Sequence, residues 1–247
     1  MDAVAGRCQR GGLSSAPPDL PRPPRKDTMP TRTPQDLSEL PYAHRLEPFT
    51  GEPERDGDYE WAHLDGLALD DIDAGMARFS ESALTSVTFT GGRLRRARLD
   101  TVWMHNVRTV GTDLAETGWL DTACLSSLLA GTQLHGARLQ RVVFQQCKFD
   151  SVNLRAAVLR EVSFVDCLLR DVDFAGASLT GVTFPGTALD RVGLDRAVLS
   201  RVDLREATAL GIGSGVEALK GATVSTTQLF DLAPVLARHI GLTVRDD

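Results

Sequence analysis

The sequence predicts an all-β solenoid wound as four-sided coils and closed at its C-terminal end by a short α-helix. Three observations predict it. From Val142 to Ala207 a five-residue signature recurs without a gap, a small residue followed two places later by Leu or Phe. It places Phe144, Phe149, Leu154, Leu159, Phe164, Leu169, Phe174, Leu179 and Phe184 at the central position of successive repeats, which makes them the candidate core. A period of five fits neither the 3.6-residue helix nor the two-residue strand, so it belongs to a repeat architecture. Second, the repeats carry a superperiod of twenty: Ala77, Ala97, Ala137, Ala157, Ala177 and Ala197 form one series, Val142, Val162, Val182 and Val202 another, and Phe144, Phe164 and Phe184 a third. Four repeats per coil would stack such residues directly above one another, and each column could then keep its own side-chain volume. Third, the pattern turns helical at Ser225.

Taken in order, residues 1–35 hold Pro17, Pro18, Pro21, Pro23, Pro24, Pro30 and Pro34 among Arg, Ser and Gly, a composition that cannot offset its ordering entropy and reads as a disordered tail. Met29 lies where this bias fades and is an alternative start of translation. Residues 36–60, with Leu37, Leu40, Leu46 and Phe49 among polar neighbours, are expected to fold over the first coil as an N-terminal cap. The solenoid itself is assigned to 61–210. Counting back by fives from Phe144 reaches Leu64, and only Ala74, Thr109, Trp119 and Cys124 depart from Leu, Phe or Met on the way. No residue is inserted between Leu64 and Leu204, so every coil has one length. About seven turns at the strand spacing make a rod of about 35 Å.

Residues 211–247 form the C-terminal cap. The repeat fades at Ala209–Gly213 and returns to register at Ala222-Thr223-Val224 after an excursion near Gly215 to Lys220. Ser225 and Gln228 have capping-box spacing. Leu229, Leu232, Leu236 and Ile240 then follow at helical intervals, widened by Phe230 and Val235, and Gly241 is placed to end the helix, predicted near 226–240. Pro234 either kinks it or sits in its first turn. Two readings of this helix stay open: a lid over the last coil, or a dimer interface.

The motif resembles the pentapeptide repeat proteins, whose consensus is Ala-(Asp/Asn)-Leu-x-x. Asn153-Leu154, Asp173-Phe174 and Asp203-Leu204 match its polar second position, although many repeats here carry Val, Thr, Arg or Ser there. The resemblance covers about Trp61 to Ala209. It implies a right-handed quadrilateral β-helix. Among members that are understood, quinolone-resistance proteins mimic duplex DNA and bind DNA gyrase, and they dimerise through their C-terminal ends; the resemblance therefore names gyrase and a second copy as candidate partners.

Other chemistry finds little support. No apolar run is long enough to cross a bilayer and the first residues lack a signal-peptide core, so a cytoplasmic location is expected. Cys8, Cys124, Cys147 and Cys167 include no CxxC pair, and Cys147 and Cys167 are expected to stack as small inward residues. His44, His63, His105, His135 and His239 converge with no carboxylate or thiol at metal or triad spacing. No phosphate loop or nucleophile elbow is present. The reading is a non-enzyme without cofactor or metal.

Charge then decides between binding roles. Residues 61–210 contain 18 acidic and 16 basic side chains, a net of −2, where a DNA mimic needs dense, one-signed acidity along a face. One face leans basic, with Arg78, Arg98 and Arg138 in a column beside Arg141, Arg160 and Arg201. Another, carrying Asp65, Asp166, Asp203 and Glu206, is mildly acidic and is the candidate partner face. The preferred reading is a structural or protein-interaction module with flat β-faces; the alternative is a DNA-mimicking modulator of gyrase or a related topoisomerase.

Overall fold

The computed structural model describes residues 33–243 and 245. Three-residue strands recur at five-residue intervals, and each pairs in parallel with the strand twenty residues on: Phe79 lies beside Leu99, Leu99 beside Trp119, Trp119 beside Leu139. Each coil has four sides. Side A runs from Ala62–Asp65 to Ser163–Val165, side B from Asp58–Glu60 to Val198–Ser200, and side C from Ala68–Asp70 to Ala209–Ser214. Side D consists of single bridges, from Asp73 with Arg93 to Asp173 with Gly193. Sides B and C have eight strands each. The solenoid thus has about eight turns rather than seven, because Tyr59 before the assigned start and Leu210 at its end both pair in register with their neighbouring turns. Eight strands at the usual spacing measure about 34 Å.

The repeat period follows from the corners. Every fifth residue from Asp56 to Arg201 has a positive φ, whatever its type, and eight of these positions are glycine. The left-handed conformation costs a non-glycine residue about 1–3 kcal/mol. It is held because the same residue's N–H donates to the next turn, as Asn106 does to the Leu125 carbonyl and Asp166 to that of Pro185. Between corners, the residue before and the residue after the central one face outward while the central one faces in.

On side D the preceding residue has a further task. The carboxylate or amide oxygens of Asp73, Asp113, Asn153 and Asp173 accept the backbone N–H two residues on, and Asp203 does the same on side A. These Asx turns explain the polar residue of the consensus.

The core is one stack of rings and branched chains. The nine central residues from Phe144 to Phe184 are at most 3 % exposed. Phe144, Phe164 and Phe184 lie face to face at 5.2 and 5.3 Å, and Phe149 meets Phe144 edge-on at 5.1 Å. Such pairs add about 0.5–1.5 kcal/mol each beyond the area they bury. At the N-terminal end Tyr59 stacks on Phe79, Phe49 meets Tyr59 edge-on, and Glu47–Pro48 pairs with the first strand of side A, so residues 47–60 close that end.

Residues 33–46 do something else. Instead of covering the open end, they lie along the outer surface of side A, where Leu40 and Tyr42 pack in a second apolar cluster with Ala83, Trp103, Ala123 and Leu125. The Trp103 indole N–H donates to the Pro34 carbonyl at 3.0 Å, and Gln35 reaches Gln145 two turns further on. Side A recruits this segment because its outward positions are apolar. The tail expected at 1–35 lies almost wholly outside the described residues, as does Cys8.

At the other end one residue is inserted, so that Leu210 rather than residue 209 pairs with Leu189. Val216–Leu219 makes a short 3-10 excursion, and Asp203 bridging Thr223 restores the twenty-residue step. The helix, Thr226–His239, opens on the capping box of Ser225 and Gln228. Gln228 is buried, and its amide N–H groups also donate to the carbonyls of Leu204 and Ala207 at 2.7 and 3.0 Å, satisfying the edge of the last coil. Leu232 is the helix's buried anchor. Leu229 and Ile240, expected on the packed stripe with it, are instead 50 % and 68 % exposed. Pro234 sits in the helix interior, neither in the first turn nor at an end.

Candidate functional site

The thiols are core atoms. Cys147 Sγ lies 4.0 Å from Cys124 Sγ and donates to the Cys124 carbonyl, while the Cys167 sulfur accepts the Cys147 N–H. The neighbouring thiols, together with burial, push the Cys147 and Cys167 ionisations up, which leaves both protonated and inert. Among the described residues no group of His, Cys, Asp and Glu is arranged to hold a metal ion.

The four acidic residues of the candidate partner face all belong to side A or its edge, but they do not form one surface. Asp65 stands at the first turn, where it accepts the Thr85 hydroxyl. Asp166 is at a corner, with its carboxylate over Gly186. Asp203 is gripped by Arg205 through Nε at 3.0 Å and Nη2 at 2.6 Å, and these bonds with the Arg205 backbone N–H hold its carboxyl down at about 2. Glu206 follows in the same turn. Residues 33–46 occupy the side between Asp65 and the others. The face is therefore interrupted by the chain itself, and Asp203 is paired with Arg205.

Elsewhere charges are matched turn on turn. Arg141 grips Asp121 at 2.6 and 2.8 Å, Arg191 grips Asp171 at 2.7 and 2.6 Å, Arg170 meets Asp190 at 3.2 Å, and Arg96 meets Glu116 at 2.8 Å, each pair twenty residues apart. Side B breaks this rule. Arg78 lies directly beside Arg98 on the neighbouring strand, Gly118 follows, then Arg138. These three arginines are exposed, and none has an ion-pair or side-chain hydrogen-bond partner among the described residues.

Between Arg98 and Arg138 the missing side chains of Gly118 and Gly136 leave an open hollow of about 650 Å³, bordered by Asp100, Leu120, Gln140 and the Arg96–Glu116 pair. A second hollow of about 470 Å³ adjoins it at Arg78 and Arg98 and is closed at its far end by Asp56 and Asp58. The arginine column was legible in the sequence; the hollow was not, although Gly118 falls in register with the arginines. Arg141 belongs to an ion pair rather than to this patch.

A parallel β-solenoid capped by one helix, with its chemistry confined to outward side chains, defines a repeat scaffold. Residues 126–210 match the family model described as "Pentapeptide repeat region", and the same five-residue register of the parallel β-solenoid runs on from them in both directions. No curated protein sequence matches the chain. Among solved structures it is similar to HetL, a pentapeptide repeat protein involved in heterocyst differentiation regulation from the cyanobacterium Nostoc sp. strain PCC 7120, at 18 % identity and TM-score 0.44 over 67 % of this chain and 88 % of that one. It is also similar to a trypsin-treated variant of QnrB1, a plasmid-mediated fluoroquinolone resistance protein, at 15 % identity and TM-score 0.38 over 76 % and 100 %. A third, Rfr23 from the cyanobacterium Cyanothece 51142, is 17 % identical with TM-score 0.26 over 57 % and 90 %. At these scores none assigns a role to this chain.

Proposed function

We propose that the protein is a non-enzymatic interaction module of the cytoplasm whose flat β-faces dock a protein partner. The occupied side A carries this reading. An irregular segment, residues 33–46, lies across successive strands and is held by Leu40, Tyr42 and a hydrogen bond from Trp103. What side A does for its own chain, the open sides can do for another. Among the described residues no helix is long and apolar enough to cross a membrane.

The test is a photo-crosslinking residue placed in turn at Ser80 on side B, Thr90 on side C and Arg155 on side D, in the native cell. Crosslinks to one protein from one side support the reading, and none from any side refutes it. A DNA mimic acting on gyrase would need unbroken acidity, whereas Glu116, Asp121, Asp171, Asp190 and Asp203 all have arginine partners. Gyrase supercoiling is expected to proceed unaffected at micromolar protein, and a salt-sensitive inhibition would put the mimic first. The exposed Leu229, Phe230, Ile240 and Leu242 support pairing of two copies through the C-terminal helix, which ultracentrifugation of Phe230→Glu against the parent tests.

A further inference from the structure

We infer that the arginine column of side B, Arg78, Arg98 and Arg138 with the hollow at Gly118, is a binding site for an extended acidic segment of a partner protein. The inference rests on the interaction-module reading and names its face and its chemistry.

Three observations carry it. Like charges side by side on neighbouring strands destabilise a sheet. Wherever the coils stack Arg141, Arg191, Arg170 or Arg96 with a charge twenty residues away, that charge is a carboxylate, so Arg78 on Arg98 departs from the molecule's own pattern. Asp58 stands beside Arg78 at the N-terminal end of the column, but the strand neighbours of Arg98 are Arg78 and Gly118 and those of Arg138 are Gly118 and Val158, so neither of these has a carboxylate next to it in the column. A local rule broken in this way points to a function. Next, Gly118 is not required by the fold. Its φ is ordinary, and a Cβ there would meet nothing within 4 Å, yet glycine weakens a strand interior. What its absent side chain does provide is the hollow between two uncompensated guanidinium groups.

Third, the spacing fits. Arg78 to Arg138 spans three strand spacings, about 14 Å. In an extended segment the side chains at alternate positions i, i+2 and i+4 face one way and also span about 14 Å. Such a segment, laid along the column, brings its outer carboxylates over Arg78 and Arg138 and its middle one over Arg98 and the hollow. Arginine can take a carboxylate through two parallel hydrogen bonds. Nucleic acid fits less well. Trp119 beneath Gly118 is 4 % exposed and cannot stack on a base, and the chain's net charge of −6 opposes a polyphosphate.

The test uses the full chain and a short fluorescein-labelled peptide alternating Glu and Thr, followed by anisotropy. Binding is expected, weakening as salt rises. Arg98→Ala and Arg138→Ala are each expected to weaken it about tenfold, and Gly118→Val, whose Cβ enters open space, by a similar factor, with melting curves no lower than the parent's for all three. An alternating Lys–Thr peptide should not bind. Equal binding by parent and variants overturns the site, and tighter binding of single-stranded DNA than of the peptide overturns its protein specificity. If crosslinks concentrate on side C or D while these variants lose nothing, this inference fails and the interaction-module reading stands; if no side crosslinks at all, the broader reading fails first.

Discussion

Sides A and B are made by the same repeat, with apolar inward residues in the same register, and yet one is covered and the other open. The difference lies wholly in the outward positions. Ala83, Trp103, Ala123 and Leu125 make side A apolar, and the chain folds its own residues 33–46 over them. Arg78, Arg98 and Arg138 make side B cationic, and nothing from the described residues covers it. The comparison teaches that in this solenoid the period decides what is core, whereas each column of outward residues decides which face finds a partner and whether that partner is internal.

The comparison breaks most visibly at Trp103. If the outer face of side A is a true second core, Trp103→Ala costs about 3–5 kcal/mol, as much as Phe164→Ala inside the coil. Urea denaturation measures both, and a Trp103 variant as stable as its parent would reduce residues 33–46 to a loosely resting segment. The C-terminal end offers the next effect. Gln228→Ala leaves the Ala207 carbonyl without its partner and removes one of two bonds to the Leu204 carbonyl, which keeps the Ala207 N–H, at about 1–3 kcal/mol, whereas Thr227→Ala, exposed beside it, stays within about 0.5 kcal/mol.

On side B the sign reverses. Arg98→Glu replaces a like-charge neighbour of Arg78 by an opposite one and is expected to stabilise the fold by about 0.2–1 kcal/mol while abolishing peptide binding. A loss of stability would mean that the column is structural.

The smallest effect is a titration at the uncovered end of side A. Arg205 depresses the Asp203 carboxyl in the folded state, so its contribution is complete above the unfolded value near pH 4 and disappears as pH falls through about 2. Arg205→Ala should raise the Asp203 titration seen by carboxyl NMR and remove this small contribution at neutral pH, leaving stability near pH 2 unchanged.

Much of this architecture was legible because the inward residues of a repeat are under one steric demand. Phe144, Leu154 and Phe164 could be placed by counting alone, and Ser225 with Gln228 announced the helix start. What escaped the reading is set by outward residues and by contacts between turns. The corner at Asn106, Ala156 or Arg191 has no composition of its own, since the ladder imposes the left-handed conformation on whatever residue falls there. The covering of side A had a signal in Ala83, Trp103 and Ala123, three apolar residues twenty apart at an outward position. Asp65, Asp166, Asp203 and Glu206 share a side in the repeat count, but that count holds no sign of the segment 33–46 that separates the first of them from the rest.

The twenty-residue pairing step also bears on how the chain is made. Each coil finds its hydrogen-bonding partners in the coil before it, as Arg98 N–H does at the Ala77 carbonyl and Gly118 N–H at the Ala97 carbonyl. A chain leaving the ribosome N-terminus first therefore presents a finished template to every new coil, and assembly can advance as a moving front at the pace of translation. Two events fall out of that order. Residues 33–46 are synthesised first but cannot dock until Trp103 and Leu125 have been wound into place, and the front itself stops only when Gln228 reaches the last exposed carbonyls.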